Sequence, residues 1–404
     1  MDSNIASNIA LNIRGHRLYA DFSKVKARLA QHQFVCWIAG GAVRDFCLAQ
    51  EVNEFDLVTD ATTETLKALF PEAILVGESF GVLKIPILKS QLENEFFDLA
   101  TFRQESDYLD GRRPSKVTAA TPVKDSERRD FTINAMFWDD VQSQVIDYQG
   151  GLFDLSRKHL VCVGDPTIRF TEDYLRIIRL VRFAAVLNFE IEPKTNQAAL
   201  TYRTKINQIS GERIWSELLK INKSKAFKFA FKQELFLELL KEFFDTKEIT
   251  APHVQTNVTN IMLLIYLLNP NIDFSEILKR RLKVSNQELE VYNSIRLIMV
   301  AVVKMSAAEL AFEVEKNPNY TKLVEMLVEV QLIPEVVDQS IKKILSLNSK
   351  TLVTAKDLAQ LIPNRYISEE LKYLRISQFN GTYKTTDQAL DYLNKKYALK
   401  NEKP

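Results

Sequence analysis

The chain has 404 residues, too many for one small core, and ordinary domain sizes predict two to four compact units. Hydrophobic residues at 46%, charged residues at 26%, and only 11 Gly and 12 Pro exclude a disordered, fibrous or linker-rich polypeptide. The formal net charge of +1 neither supports nor excludes a nucleic-acid partner, because a balanced total can hide a basic groove.

The first residues include Asp2, Asn4 and Asn8 and carry neither the basic and apolar regions of a secretory signal nor an Arg-rich transit pattern, so the chain reads as cytoplasmic. Its longest apolar runs, such as 261–268, fall far short of the ~20 residues of a membrane-spanning helix. Cys36, Cys47 and Cys162, and His16, His32, His159 and His253, are scattered without ligand spacing, which argues against a disulfide framework or a His/Cys metal site.

Residues 1–33 read as a helical lead-in. From 34 to 152, short apolar or alternating runs at 34–38, 73–76, 82–87 and 96–101, separated by turns, predict an α/β unit. Paired glycines within 147–154 punctuate its end. Beyond residue 168 the apolar spacing becomes helical, as in 171–187 and 214–221, so an all-helical remainder is expected, divided into a neck at 153–222 and a body and tail at 223–404. The fold class is α+β.

The first chemical segment is Gly40-Gly41-Ala42-Val43-Arg44-Asp45, between a strand-like and a helical run. Glycines there let backbone N–H groups approach phosphate oxygens, with Arg44 as clamp, although a Gly-Gly turn also serves tight packing. Glu54 and Asp56 follow two residues apart, which on a strand places both carboxylates on one face with Phe55 and Leu57 toward the core. Asp98 lies in a second strand-like run. Three converging carboxylates can hold two Mg²⁺ ions for phosphoryl transfer, or can simply be outward positions on a half-exposed sheet.

Arg128-Arg129-Asp130-Phe131-Thr132-Ile133-Asn134 runs from polar into apolar residues. Asp130 can accept from ribose hydroxyls or cap a helix, and Arg129 can neutralise triphosphate charge. In the predicted helix over 171–187, Asp173, Arg176, Arg179 and Arg182 recur at intervals of three and share a face. Adenine and cytosine both present an amine donor beside a ring-nitrogen acceptor. An Asp–Arg pair suits that edge and mismatches guanine and uracil, at about 1–3 kcal/mol per unsatisfied group. The competing reading is a salt-bridged surface helix with Glu172 and Arg176 as an i,i+4 pair.

In order and together, these segments resemble the class II tRNA nucleotidyltransferases, the family of bacterial-type CCA-adding enzymes and bacterial poly(A) polymerases, over roughly 37–220. The resemblance implies a polymerase-beta-like head with a small mixed or antiparallel sheet. It implies catalytic and metal-holding roles for Glu54 and Asp56, with Asp98 as a further catalytic carboxylate. It implies nucleotide binding by Gly40, Gly41, Arg44, Arg129, Asp130 and Asn134, base pairing by Asp173 and Arg176, and triphosphate contact by Arg179 and Arg182. Gly211-Glu212-Arg213-Ile214-Trp215 resembles the family's last, structural motif. Asp110, Gly111, Arg112 and Arg113 resemble the loop needed to switch from C to A, and the region around Gly77 to Gly81 resembles the CCA-adding pattern.

The expected cofactor is Mg²⁺, as two ions. The expected partners are the tRNA 3′ end, ATP and CTP, with no membrane and an undetermined oligomeric state. One departure stands out: the family's Asp-x-Asp is Glu54-Phe55-Asp56 here. A poly(A) polymerase, a CC-adding enzyme, and an RNA-binding protein with a decayed metal site are the alternatives.

Overall fold

A computed structural model describes residues 3–76, 81–87, 95–108, 114–249, 251, 260–317 and 319–401. Asp110, Gly111, Arg112, Arg113 and residues 77–80 lie outside the described residues. The chain forms two compact units that meet in sequence at Ile249 and Thr250.

In the first unit, helices α1 (Ser3–Arg14) and α2 (Tyr19–Gln31) precede strand β1 (Trp37–Ala39), α3 (Gly41–Cys47), β2 (Asp56–Thr59) and α4 (Thr63–Leu69). Strands β3 (Ile74–Val76), β4 (Val82–Pro86) and β5 (Phe96–Thr101) follow, then a hairpin of β6 (Arg103–Tyr108) and β7 (Pro114–Ala119). Helix α5 (Pro122–Glu127), a 3₁₀ turn at Thr132–Asn134, and a second hairpin of β8 (Met136–Asp139) and β9 (Gln144–Asp147) complete the head.

Seven strands form one sheet in the order β3-β4-β5-β2-β1-β8-β9, while β6 and β7 pair separately. The sheet is mixed, as expected: β2 and β5 are parallel, and its other pairs are antiparallel. The parallel register sets Asp56 opposite Asp98. The 34–38 run begins pairing only at Trp37, and both hairpins were unmarked by apolar alternation in the sequence.

Phe55, Leu57, Phe97, Leu99, Phe137 and Trp138 are fully or nearly fully buried, each large side chain contributing about 1.5–3 kcal/mol. The lead-in helices dock on the second hairpin through buried Asp140, which accepts from Tyr19 Oη at 3.1 Å and pairs with Lys26 and Arg14.

After the head come α6 (Gly151–Ser156), α7 (Pro166–Glu172), α8 (Leu175–Leu187), α9 (Pro193–Thr201) and α10 (Gly211–Lys223). Among the described residues beyond 153, helices are interrupted by a two-residue parallel ladder joining His159–Leu160 to Glu190–Ile191 and by an isolated bridge from Cys162 to Phe131. Asp165 caps α7 through the Thr167 N–H with Pro166 in its first turn, and Asn188 ends α8 in the left-handed conformation.

The expected single helix over 171–187 is broken. Asp173 is extended, at φ −147° and ψ 105°, and its carboxylate accepts the Leu175 N–H at 3.1 Å, restarting the helix as α8. A short acidic side chain competing for backbone N–H groups interrupts apolar periodicity without erasing it.

The second unit is helical. Three of its helices start with reciprocal capping boxes, at Ser285/Glu288, Ser306/Glu309 and Thr354/Asp357, and one of its cores gathers Val353, Leu358, Ile362, Leu374, Ala389 and Leu393.

Gly151 starts α6 against the 3₁₀ turn, and a Cβ there would lie 2.3 Å from the Thr132 carbonyl oxygen. Backbone cannot yield as a side-chain tip can, so Gly151→Ala is expected to cost about 3 kcal/mol or more, a fall of several degrees in thermal unfolding. Gly164→Ala meets only the strain of φ +67° in open space and should cost about 1–2 kcal/mol at most. Equal melting shifts for the two variants would contradict the packing described.

Candidate active site

The loop before β2, the N-terminus of α3, the 128–134 segment and one face of α8 surround a cavity of about 660 Å³, a size suited to a small ligand. Eight cationic side chains line it: Arg44, Arg128, Arg129, Arg176, Arg179, Arg182, Arg213 and Lys220. Seven carboxylates face them: Asp45, Glu51, Glu54, Asp56, Glu105, Asp130 and Asp173.

The near balance of charge is local and structural. Arg44 donates from Nε and Nη2 to Asp45 at 2.8 and 2.9 Å, and from Nη1 to Asn134 Oδ1 at 2.6 Å. Asn134 Nδ2 donates to Asp130 Oδ1 at 3.2 Å, while Asp130 Oδ2 receives Arg179 Nε and Nη2 at 2.8 and 2.5 Å. A continuous line of bonds therefore crosses from α3 to α8. Burial alone would push the Asp130 carboxyl up. The charge and hydrogen bonds of Arg179, aided by Arg176 and Asn134, outweigh burial and hold it at about 2. Asp130 does not cap a helix; its Oδ1 takes the neighbouring Phe131 N–H at 2.8 Å.

Arg129 is held at Asp125 Oδ2 by Nε and Nη2, at 3.2 and 3.0 Å, and donates from Nη1 to the Asn134 carbonyl at 3.2 Å. Gly40, at φ +68°, is a glycine for a reason: a Cβ there would meet Arg129 Nη1 at 2.9 Å. Asp125 is completely buried and also receives Arg128 and the Arg103 N–H, so it organises this corner. No sequence feature singled it out.

The carboxylates expected to hold metal are only partly arranged as predicted. Phe55 and Leu57 are buried as expected, but β2 begins at Asp56, and Glu54 sits in the irregular segment ahead of it. Glu54 and Asp56 line the cavity, whereas Asp98, opposite Asp56 on β5, is paired with Lys84 Nζ at 2.7 Å. Among the described residues no group of three or more Asp, Glu, His or Cys side chains is close enough to hold a metal ion.

The donor chemistry at Glu54 and Asp56 nevertheless fits a divalent cation. These are hard oxygens facing the cavity, and crowding there raises the Asp56 carboxyl to about 6, by lost hydration first, then by the charges of Glu54 and Asp98, against Arg129 and Lys84.

At the opposite wall the predicted Asp–Arg face is corrected. Asp173 stands in the break before α8, not on the helix with Arg176, and its carbonyl accepts the Arg176 backbone N–H at 3.0 Å. Asp173 Oδ2 accepts from Arg213 Nη2 at 2.9 Å. Buried Arg176 donates from Nη1 to Glu172 at 2.6 Å and to the Arg169 carbonyl at 3.0 Å, and from Nη2 to the Arg128 carbonyl at 3.0 Å. The Glu172–Arg176 pair read from the sequence is thus real, while Arg213 is a cavity residue that the sequence marked only as structural. Arg182 bonds buried Glu217 at 2.5 Å and lies 3.8 Å over the Phe183 ring.

Residues 36–161 match the family model for the poly A polymerase head domain, and residues 188–250 match that for a probable RNA and SrmB-binding site of polymerase A. A CCA-adding enzyme of Lactococcus lactis subsp. lactis is 42% identical over 198 residues, 49% of this chain and 49% of its own length. The chain thus aligns with about half the length of that relative. A CCA-adding enzyme of Staphylococcus aureus is 32% identical over 297 residues, covering 72% of both chains. This chain belongs to the CCA-adding enzyme family.

The crystal structure of the Bacillus stearothermophilus CCA-adding enzyme in complex with CTP superposes with a TM-score of 0.70 at 20% identity, over 96% of this chain and 99% of that one. The Thermotoga maritima CCA-adding enzyme complexed with tRNA matches with a TM-score of 0.69 at 18% identity, over 97% and 98%. At these identities the likeness establishes the fold, which this CCA-adding family member shares along nearly its whole length.

The raised Asp56 carboxyl has a measurable consequence. In the folded chain it holds its proton up to about pH 6, against about 4 unfolded, so stability is greatest below pH 4 for this group and declines as pH rises through 6. In chelator, Asp56→Asn should therefore melt higher than the parent at pH 7, with the difference vanishing toward pH 4. A difference independent of pH would refute the crowding.

Proposed function

We propose that this chain adds C, C and A in turn to the 3′ end of tRNA from CTP and ATP, as a template-independent nucleotidyltransferase of the cytoplasm. The observation that carries the reading is that Asp173 and Arg176 stand on the wall of the same cavity that contains Glu54 and Asp56. Base reading and phosphoryl transfer then occur within one nucleotide's length. Three free thiols, with two of them buried, suit a reducing compartment.

Asp173 uses one lone pair on each oxygen for Leu175 N–H and Arg213, leaving each oxygen able to accept once more, from the exocyclic amine of cytosine or adenine. Arg176, locked by Glu172 and two carbonyls, presents donors only, toward the ring nitrogen. Guanine and uracil place donor against donor. Arg44, Arg129, Arg179 and Arg182 supply positive charge toward a triphosphate between Gly40-Gly41 and α8, and Asp130 and Asn134 face its ribose.

Glu54 and Asp56 would hold two magnesium ions, with Asp98 beside them as the third carboxylate. Such ions supply activation of the tRNA 3′ hydroxyl and neutralisation of the leaving pyrophosphate. Asp110, Gly111, Arg112 and Arg113 support full CCA addition over CC addition, and 223–404 would carry the tRNA.

Incubation with Mg²⁺, each nucleotide singly, and tRNA ending before or within CCA tests the reading. Cytidine should be added from CTP, and one adenosine from ATP only after CC, with Asp56→Ala slower by about a hundredfold or more. A ladder of adenosines from ATP alone identifies a poly(A) polymerase, and failure to add the terminal A a CC-adding enzyme. No incorporation, with parent and Asp56→Ala alike, identifies an RNA-binding protein. Arg213→Ala, which frees Asp173 to turn, is expected to raise misincorporation of UTP by about tenfold at unchanged melting temperature. Unchanged fidelity would remove Arg213 from the base-reading wall.

A further inference from the structure

The segment between α3 and β2 that delivers Glu54 has no regular secondary structure from Glu51 to Phe55, so its carbonyls require partners from elsewhere. Two consecutive side chains in the turn between α1 and α2 provide them. His16 Nε2 lies 2.9 Å from the Val52 carbonyl oxygen, and Arg17 Nη2 donates to the Asn53 carbonyl at 2.9 Å.

The tautomer of His16 follows from its neighbours. The Leu18 N–H donates to Nδ1 at 3.3 Å, so Nδ1 is the acceptor and Nε2 carries the proton given to Val52. On the far side of Glu54, the His16 ring packs against buried Phe55 at 4.9 Å, and Phe55 also meets Phe46, Phe22 and Phe97. Glu54 is thus gripped before and after by the same turn.

Arg17 reaches further. Its Nη1 and Nη2 form a bidentate pair with Glu95 at 2.8 and 2.6 Å, one residue ahead of β5, the strand that carries Asp98. The turn itself is anchored to the rest of the head by Asp140, through Arg14, Tyr19 and Lys26. It lies outside residues 36–161, which match the head-domain model.

We infer that His16 and Arg17 are positioning residues for the metal-holding carboxylates: together they set the backbone height of Glu54 and the alignment of the Asp56 and Asp98 strands. The inference rests on the catalytic reading above. It also gives a physical meaning to the departure at Glu54. Glutamate is one methylene longer than the aspartate of the family pattern, and Mg²⁺ tolerates little error in ligand position, so the backbone bearing a glutamate must be held at a set distance from the ion. A mobile 51–55 segment would let the longer side chain wander, and misplacement by about 1 Å is enough to cost up to about a hundredfold in rate.

The Arg17 pair is half exposed and contributes little to global stability, which makes its positional role separable from folding.

The test compares the full-length parent with His16→Ala, Arg17→Ala and His16→Gln, the last retaining an N–H donor for Val52. Four readouts are taken: melting temperature, amide hydrogen exchange of 52–56, Mn²⁺ binding by electron paramagnetic resonance, and kcat and KM for CTP. The two alanine variants should exchange faster at 52–56, bind Mn²⁺ about tenfold more weakly, and lose about tenfold in kcat with KM for CTP within twofold. His16→Gln should recover most of each loss.

Faster exchange with unchanged Mn²⁺ affinity, or a loss confined to KM for CTP, or losses that simply follow melting temperature, would overturn the inference. If the parent adds no nucleotide, the catalytic reading fails, and the exchange and Mn²⁺ measurements still decide whether the turn positions Glu54.

Discussion

Asp130 is the constraint on which the head depends. A buried carboxylate is expensive unless fully paired, and this one is paired on both oxygens: Asn134 and a backbone N–H on one side, the Arg179 guanidinium on the other. Because Arg179 belongs to α8 and Asn134 continues to Arg44 on α3, one buried charge ties the nucleotidyltransferase sheet to the helix that faces it. Asp125 repeats the arrangement for Arg128 and Arg129. Eight cations in one cavity would repel one another strongly in low dielectric, and interleaving seven carboxylates is what lets them coexist. The nearly neutral net charge of the chain therefore conceals a site dense in both signs.

That interleaving also bears on specificity. Under the proposed base-reading role, a carboxylate that could rotate would offer its oxygens to any ligand, whereas Asp173 is held by Leu175 and Arg213, and Arg176 by Glu172 and two carbonyls. The orientation is established before a nucleotide arrives, so discrimination does not have to be purchased with ordering entropy. The Glu54–Asp56 end of the cavity is built on the opposite plan: lost hydration first, then the charge of Glu54, disfavours the ionised Asp56 carboxylate, a local cost that the proposed cation would relieve.

Much of this was legible in the sequence because it depends on local pattern. Strand β5 was read at its full length, the mixed sheet followed from the family resemblance, and the α+β division followed from the change of period. The apolar spacing of Leu175, Ile178 and Phe183 belongs to α8 alone and carries no mark of where that helix begins, which a side-chain bond at Asp173 sets. The expectation that Asp173 shares a helix face with Arg176 failed for that reason. Arg213, Asp125, His16 and Arg17 act across 40, 22, 36 and 36 residues of sequence, through carbonyls, carboxylates and a backbone N–H that periodicity does not register. Long-range polar partnership is what the chain hides, and it is also what positions the site.

The central claim is that one preset pair of groups selects cytosine and adenine. Binding of CTP, ATP, UTP and GTP to the full chain, measured by calorimetry with Ca²⁺ in place of Mg²⁺ and no tRNA present, tests it most directly. The account predicts that CTP and ATP bind at least about tenfold more tightly than UTP and GTP, and that Asp173→Ala levels the four affinities. Four equal affinities in the parent would contradict it.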